Sequence, residues 1–128
     1  MEYTPPYKVI VKPSAKGGLG VFAKDYIKKE EIIEICPLYD LKIPKGSSDI
    51  TLYDYRFIYP NSINFQTHVI PWGYGCLYNH NDNPNAKWRT HATEFAFEFF
   101  ALQDIQKDEE IYTYYGNDLY WSNRNKKK

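Results

Sequence analysis

Apolar residues in this chain gather in short runs, each closed by turn-forming residues, and the runs have the length and alternation of strands rather than helices. Lys8-Val9-Ile10-Val11-Lys12 is closed by Pro13-Ser14, and Gly20-Val21-Phe22-Ala23 follows a glycine turn. Glu31-Ile32-Ile33-Glu34-Ile35-Cys36 reads as a strand ending before Pro37. The clearest alternation is Glu94-Phe95-Ala96-Phe97-Glu98-Phe99, which sets phenylalanines on one face and small or charged residues on the other. Arg56 to Tyr59 and Gly75 to Tyr78 are further strand candidates. Helix is confined to two short expectations, Ser48 to Tyr55 and Asp118 to Asn125. Pro37 to Asp49 and Asn61 to Gln66 break the rhythm and read as surface insertions, where a variable substrate-facing region would sit. The pattern predicts a mainly β fold.

A local repeat overlies this pattern. Asp25-x-x-Lys28-x-Glu30-Glu31-Ile32 recurs as Asp104-x-x-Lys107-x-Glu109-Glu110-Ile111. Both are charged turns feeding an apolar strand, so hairpin chemistry explains them, and both pairs of glutamates are expected to face solvent.

Composition narrows the function classes. With 128 residues the chain is expected to be one domain over 1–128, its core at about 8–122, with a short basic tail at Lys126 to Lys128. Lysine plus arginine number 16 and aspartate plus glutamate 16, so no basic field suggests nucleic-acid binding. Cys36 and Cys76 are far apart in sequence and read as buried free thiols; two thiols make neither a disulfide scaffold nor a zinc site. No signal peptide and no long apolar run appear, so the expectation is a soluble intracellular protein with no membrane partner, cytoplasm and nucleus both open. Tyrosine is frequent, at 13 residues, so a tyrosine is read functionally only where it falls in a motif.

Three polar stretches carry the candidate motifs. Lys16-Gly17-Gly18-Leu19-Gly20 allows a sharp turn and a close backbone approach. Because Val21-Phe22-Ala23 continues as a strand, it is a poor dinucleotide fingerprint, and a ligand-free hairpin turn stays open. Asn79-His80-Asn81-Asp82-Asn83-Pro84-Asn85 could be a plain Asx turn; His68 and His91 are isolated, so no metal set forms around His80. Glu109-Glu110-Ile111-Tyr112-Thr113-Tyr114-Tyr115-Gly116 climbs from a charged turn into clustered tyrosines, which ordinary strand burial would also explain.

Taken in this order and spacing, the three stretches resemble the SET-domain protein lysine methyltransferases, over about residues 8 to 122. The resemblance implies the SET fold, small curved antiparallel sheets around a knot-like crossing of the C-terminal segment under the Asn79–His80 loop. It implies S-adenosylmethionine as cofactor, with S-adenosylhomocysteine as its product and no metal. Gly18 and Gly20, with Leu19 between them, match the family's contacts to the methionine part, and Asn79 and His80, preceded by Tyr78, match those to the amino group and adenine. Tyr115 matches the tyrosine standing where the methyl meets the substrate lysine. Tyr55, Tyr74 and Trp88 are the candidate aromatic walls of the lysine channel. The chain lacks the cysteine-rich zinc segment of many relatives and looks like the short viral or bacterial type, in which Trp121 would pack on the adenine.

Asn81, Asp82 and Tyr114 depart from the usual serine, cysteine and aspartate. The implied substrate is a lysine in a protein or peptide, a histone tail among the candidates, with a homodimer expected through Tyr39, Tyr53 and Trp72. Two other readings stay open: a SET-fold peptide- or chromatin-binding module without catalysis, and a structural β domain with no site.

Overall fold

The protein is described by a computed structural model over residues 2–43, 57–59 and 67–114. Among the described residues it is built from strands alone, and no helix is long and apolar enough to cross a membrane. Nine strands run β1 (Val9–Pro13), β2 (Leu19–Ala23), β3 (Ile32–Asp40), β4 (Phe57–Tyr59), β5 (Thr67–Pro71), β6 (Asn79–His80), β7 (Ala86–Thr90), β8 (Ala96–Ala101) and β9 (Glu110–Thr113). They form a four-stranded sheet ordered β1-β2-β9-β6 and a five-stranded sheet ordered β4-β5-β3-β8-β7. All neighbours are antiparallel except β6 and β9, which run parallel. The mainly β expectation holds.

Side-chain alternation places the core. Val21 and Ile111 face each other in register across β2 and β9 and are fully buried, as are Phe97 and Phe99 on the inner face of β8. Each such side chain contributes about 1.5–3 kcal/mol by leaving water. Phe95 falls outside β8 and half-exposed, packing edge-on against Tyr59 at 4.8 Å.

Two expected elements differ. β3 does not stop at Pro37 but runs on to Asp40, so the start of the expected insertion is strand. Pro37 sits where β3 hands over from β8 to β5: it pairs with Ala96, and the next residue, Leu38, pairs with Pro71. A residue with no N–H is tolerated there because the ladder changes partner. Gly75 to Tyr78 is turn and connection rather than strand. Gly73 adopts φ 82° and Leu77 N–H donates to the Tyr74 carbonyl at 2.8 Å, while Gly75 abuts Pro71 so closely that an added Cβ would lie 2.6 Å from its ring. Positive φ and crowding favour glycine, and they break the run. The expected helices at 48–55 and 118–125, and the 61–66 insertion, lie outside the described residues.

The two charged turns meet each other at the junction of the sheets. Ile27 and Ile105 exchange both backbone hydrogen bonds, at 2.9 and 2.8 Å, and both side chains are buried. Around this pair the contacts repeat. Glu30 N–H reaches the Ala101 carbonyl at 2.8 Å, and Asp108 N–H reaches that of Ala23 at 2.7 Å. Ala23 N–H donates to Glu109 at 2.8 Å, and Ala101 N–H to Glu31 at 3.0 Å. Glu30 and Asp108 even share a left-handed backbone, φ 72° and 74°. The repeat is therefore a local twofold, and its backbone register matches Ile27 with Ile105.

Candidate functional site

The glycine loop is shaped by its own backbone. Ser14 N–H donates to the Gly18 carbonyl at 2.9 Å and Gly17 N–H to that of Ser14 at 3.0 Å. Gly17 and Gly18 take φ 99° and 63°, values that disfavour any other residue. The turn delivers Leu19 and Gly20 to the head of β2, beside β9. A Cβ on Gly20 would lie 2.3 Å from Glu110 Oε2 and 2.9 Å from Asn79 Nδ2. A side chain there would displace the Glu110 carboxylate and the Asn79 amide.

Asn79 and His80 form β6, drawn out of the expected Asx turn into strand by parallel pairing with Tyr112 and Thr113 of β9. Asn81 N–H continues the ladder to the Thr113 carbonyl at 3.1 Å. The Asx turn lies one step later, where Asn81 Oδ1 accepts from Asn83 N–H at 2.8 Å. The Asn79 amide spans all three stretches, its Nδ2 donating to the Leu19 carbonyl at 3.1 Å and to Glu110 Oε2 at 2.8 Å. His80 Nε2 lies 2.7 Å from Asp82 Oδ1, and its ring meets that of Tyr114 edge-on at 5.2 Å. Lys16 extends across the loop, its Nζ donating to the His80 carbonyl while lying 4.8 Å above the Tyr112 ring.

Two residues that sequence reasoning gave no role are central. Asn85 is buried, and its side chain works as a strand edge: Nδ2 donates to the Glu110 carbonyl at 2.9 Å and Oδ1 accepts from Tyr112 N–H at 2.8 Å. Glu110 overturns the expectation that both glutamates of the third stretch face solvent. Glu109 does, but Glu110 is half-buried and accepts from Ser14 Oγ at 2.8 and 3.0 Å, Asn79 Nδ2 and, at 3.1 Å, the Tyr112 hydroxyl. Burial and the Glu110 bond raise the Tyr112 phenol above its ordinary value, so it stays a donor. The only signal for Glu110 in the sequence is its position at the mouth of β9.

Behind β6 lies a second carboxylate. Glu34 of β3 is almost wholly buried and accepts from the Tyr78 hydroxyl at 2.6 Å and Tyr74 N–H at 3.2 Å. Burial pushes its carboxyl up, while the Tyr78, Tyr74 and Cys36 hydrogen bonds pull it down. Burial also lifts the Tyr78 phenol well above its usual range. This cluster ties the 71–78 turn, which leads into Asn79, to the five-stranded sheet. Cys36 is buried beside it, and Cys76 is half-buried; neither is in a disulfide.

Of the channel candidates, Tyr74 is half-buried in that turn. Trp88 on β7 tilts over Phe97 at 4.3 Å and meets Phe57 edge-on at 5.4 Å. It pairs in register with Phe99, whose ring stacks on Tyr78 at 4.6 Å. Tyr55, Tyr115 and Trp121 lie outside the described residues, as does the C-terminal segment of the expected crossing.

The site is rich in acceptors: the Glu110 carboxylate and the Leu19 carbonyl receive the Asn79 Nδ2 hydrogens, which leaves Asn79 Oδ1 as an acceptor, and the His80 carbonyl takes an ammonium from Lys16. With a glycine backbone beside them, these groups fit a ligand carrying positive charge and N–H donors, and they suit a phosphate poorly.

The chain is similar to known proteins. The family model described as SET domain matches residues 18–116. A Schizosaccharomyces pombe protein named "Histone-lysine N-methyltransferase, H3 lysine-37 specific" is 23% identical over 114 residues, covering 87% of this chain and 75% of its own. The crystal structure of a Plasmodium falciparum protein, described provisionally as a histone methyltransferase, is 38% identical. It aligns with a TM-score of 0.72 over 88% of this chain and 96% of its own. The three polar stretches, folded onto one sheet and spanned by one family model, show that the chain belongs to the SET-domain family.

Proposed function

We propose that this protein is an S-adenosylmethionine-dependent protein lysine N-methyltransferase, folded as a single SET domain. The observation that carries the reading is the meeting of Leu19, Asn79 and Glu110, one from each polar stretch, joined by the two hydrogen bonds of the Asn79 amide. Gly18, Leu19 and Gly20 would hold the amino-acid part of the nucleoside along the open glycine backbone. The backbone at Tyr78, together with Asn79 and His80, would present acceptors to its amine and purine, with Trp121 closing the far side. When bound, S-adenosylmethionine supplies a sulfonium-activated methyl group. The Tyr115 hydroxyl would orient the neutral amine of the substrate lysine for in-line attack, and Tyr55, Tyr74 and Trp88 would narrow its path.

Both named relatives are described as histone methyltransferases, so a histone tail is the first substrate to test. Tyr39 and Trp72, half-exposed and stacked edge-to-face at 5.8 Å, form the surface on which a second copy would pack. Light scattering at tens of micromolar decides that point, and a monomer refutes it.

The test of the activity is incubation with labelled S-adenosylmethionine and a panel of histone and non-histone peptides, alongside calorimetry with S-adenosylhomocysteine. Micromolar binding, roughly −7 to −8 kcal/mol, with label on a peptide lysine is expected. Binding without transfer identifies a non-catalytic module. No binding overturns the reading.

A further inference from the structure

The local twofold separates the two glutamates of the third stretch. In its backbone register Glu31 corresponds to Glu109, and each closes its own turn. Glu31 Oε1 accepts from Lys28 N–H at 3.0 Å, and Glu109 Oε1 accepts from Gln106 N–H at 2.7 Å. Turn geometry thus accounts for Glu109 completely. It does not account for Glu110, whose counterpart is the exposed Ile32. At a position where the other copy turns an apolar side chain to water, this copy turns a carboxylate inward, onto Ser14, Asn79 and Tyr112.

Asn79 shows what that carboxylate does. A primary amide has two N–H donors and one acceptor oxygen. Glu110 Oε2 takes one of the Asn79 Nδ2 hydrogens and the Leu19 carbonyl the other. Turning the amide over would set its oxygen against a carboxylate and a carbonyl, leaving three acceptors facing one another. The orientation is therefore fixed, and Oδ1 is the end of the side chain left for a ligand. We propose that Glu110 is a positioning residue that locks the Asn79 amide with Oδ1 outward, so that the site selects a nucleoside whose side chain carries an N–H donor such as an α-ammonium group. The selectivity rests on the nucleoside reading above; the locking of Asn79 does not. Ser14 and Tyr112 hold the carboxylate for the task, and the missing side chain of Gly20 leaves the space in which the two groups meet.

The experiment has two arms. In the first, the Asn79 side-chain NH2 signals of the ligand-free protein are followed by NMR in the wild type, Glu110→Leu and Glu110→Gln. Glu110→Leu moves these signals to the position of solvent-exposed asparagines. Glu110→Gln, whose amide oxygen can take the Nδ2 hydrogen while its NH2 donates to Ser14, returns them most of the way. Unmoved signals in Glu110→Leu overturn the proposal whatever the protein binds.

The second arm compares S-adenosylhomocysteine with 5′-methylthioadenosine, which keeps the nucleoside thioether and lacks the amino-acid group. Glu110→Leu lowers affinity for the first roughly 10- to 100-fold and leaves the second within about twofold, and Glu110→Gln recovers most of the loss. Equal weakening of both ligands, the mark of a merely structural residue, overturns the selectivity, as does no weakening of either. Ser14→Ala, which removes one of the bonds holding the carboxylate, repeats the selective loss to a smaller degree should Glu110→Leu fail to fold, and equal weakening of both ligands there overturns the selectivity. A wild type that binds neither nucleoside refutes the nucleoside reading and the selectivity with it, while the NMR arm still decides whether Glu110 locks Asn79.

Discussion

Replacing Tyr78 by phenylalanine removes one oxygen and keeps the ring that stacks on Phe99 at 4.6 Å, so apolar burial is unchanged. What is lost is the 2.6 Å hydrogen bond to Glu34 Oε1, one of the groups that make a buried carboxylate tolerable. The cost depends on the charge of Glu34. A hydrogen bond to an ionised group contributes about 1.5–3 kcal/mol, and one between neutral groups about 0.5–1.5 kcal/mol. Burial raises the Glu34 carboxyl above its ordinary value, so the folded protein holds that proton more tightly than the unfolded chain. The contribution of Glu34 to stability is then fully present below the unfolded carboxyl value and is lost as pH rises through the folded one.

Removing the Tyr78 hydroxyl, which lowers the folded value, raises it further and enlarges the loss. Tyr78→Phe is expected to cost about 2 kcal/mol near pH 8 and less than about 1 kcal/mol near pH 4.5. Urea unfolding of both proteins at several pH values measures this. On a Glu34→Gln background, where no charge can form, the cost of Tyr78→Phe becomes independent of pH. A penalty equal at both ends of the range in the Glu34 protein, or larger in acid, refutes the reasoning.

Further outcomes follow from the same geometry. Tyr115→Phe is expected to lower turnover by roughly 10- to 1000-fold with little change in cofactor affinity or melting temperature; an unstable protein with full activity per folded molecule would mark a core tyrosine instead. Burial pushes the Cys76 thiol up to about 11, and the buried Cys36 thiol, beside the Glu34 carboxylate, is raised further still. Alkylation of the native protein at about pH 7.5 is therefore at least on the order of 100-fold slower than for a free thiol, with rapid labelling of both on denaturation; quick modification of either in native buffer counts against the structure. Asp108 holds φ 74°, where glycine is unstrained, so Asp108→Gly is expected to stabilise the fold by up to about 1 kcal/mol in thermal unfolding, and a loss would show that its side chain does more than turn the chain.

Much of the architecture could be read from the order of residues. Alternation and turn punctuation located β1, β2 and β8 to within a residue or two, because a strand buried on one face needs a period of two and a turn needs glycine, proline or a short polar residue. The order of the three polar stretches carried the family. β5 and β7 escaped detection: Thr67 to Pro71 shows no clean alternation, and Ala86 to Thr90 alternates, with Lys87 and Arg89 exposed, but carries only two apolar residues, Ala86 and Trp88, behind a turn; it is their pairing with β3 and β8 that makes both of them strands. Pro37 looked like a terminator because nothing local says that the ladder changes partner there.

Glu110 shows where local reasoning stops. Matched by letters, the two turns align Glu30-Glu31-Ile32 with Glu109-Glu110-Ile111, and both glutamates become solvent-facing charge. Matched by the Ile27–Ile105 hydrogen bonds, the register shifts by one: Glu31 falls on Glu109, exposed Ile32 on Glu110, and buried Ile33 on buried Ile111. One residue of slip in a structure of period two exchanges the faces of a strand. The sequence alone determined that a charged turn would feed a strand at this point. Only the tertiary structure decided that Glu110 turns inward, because its partners Ser14, Asn79 and Tyr112 come together on that face only when β2 and β6 pair with β9.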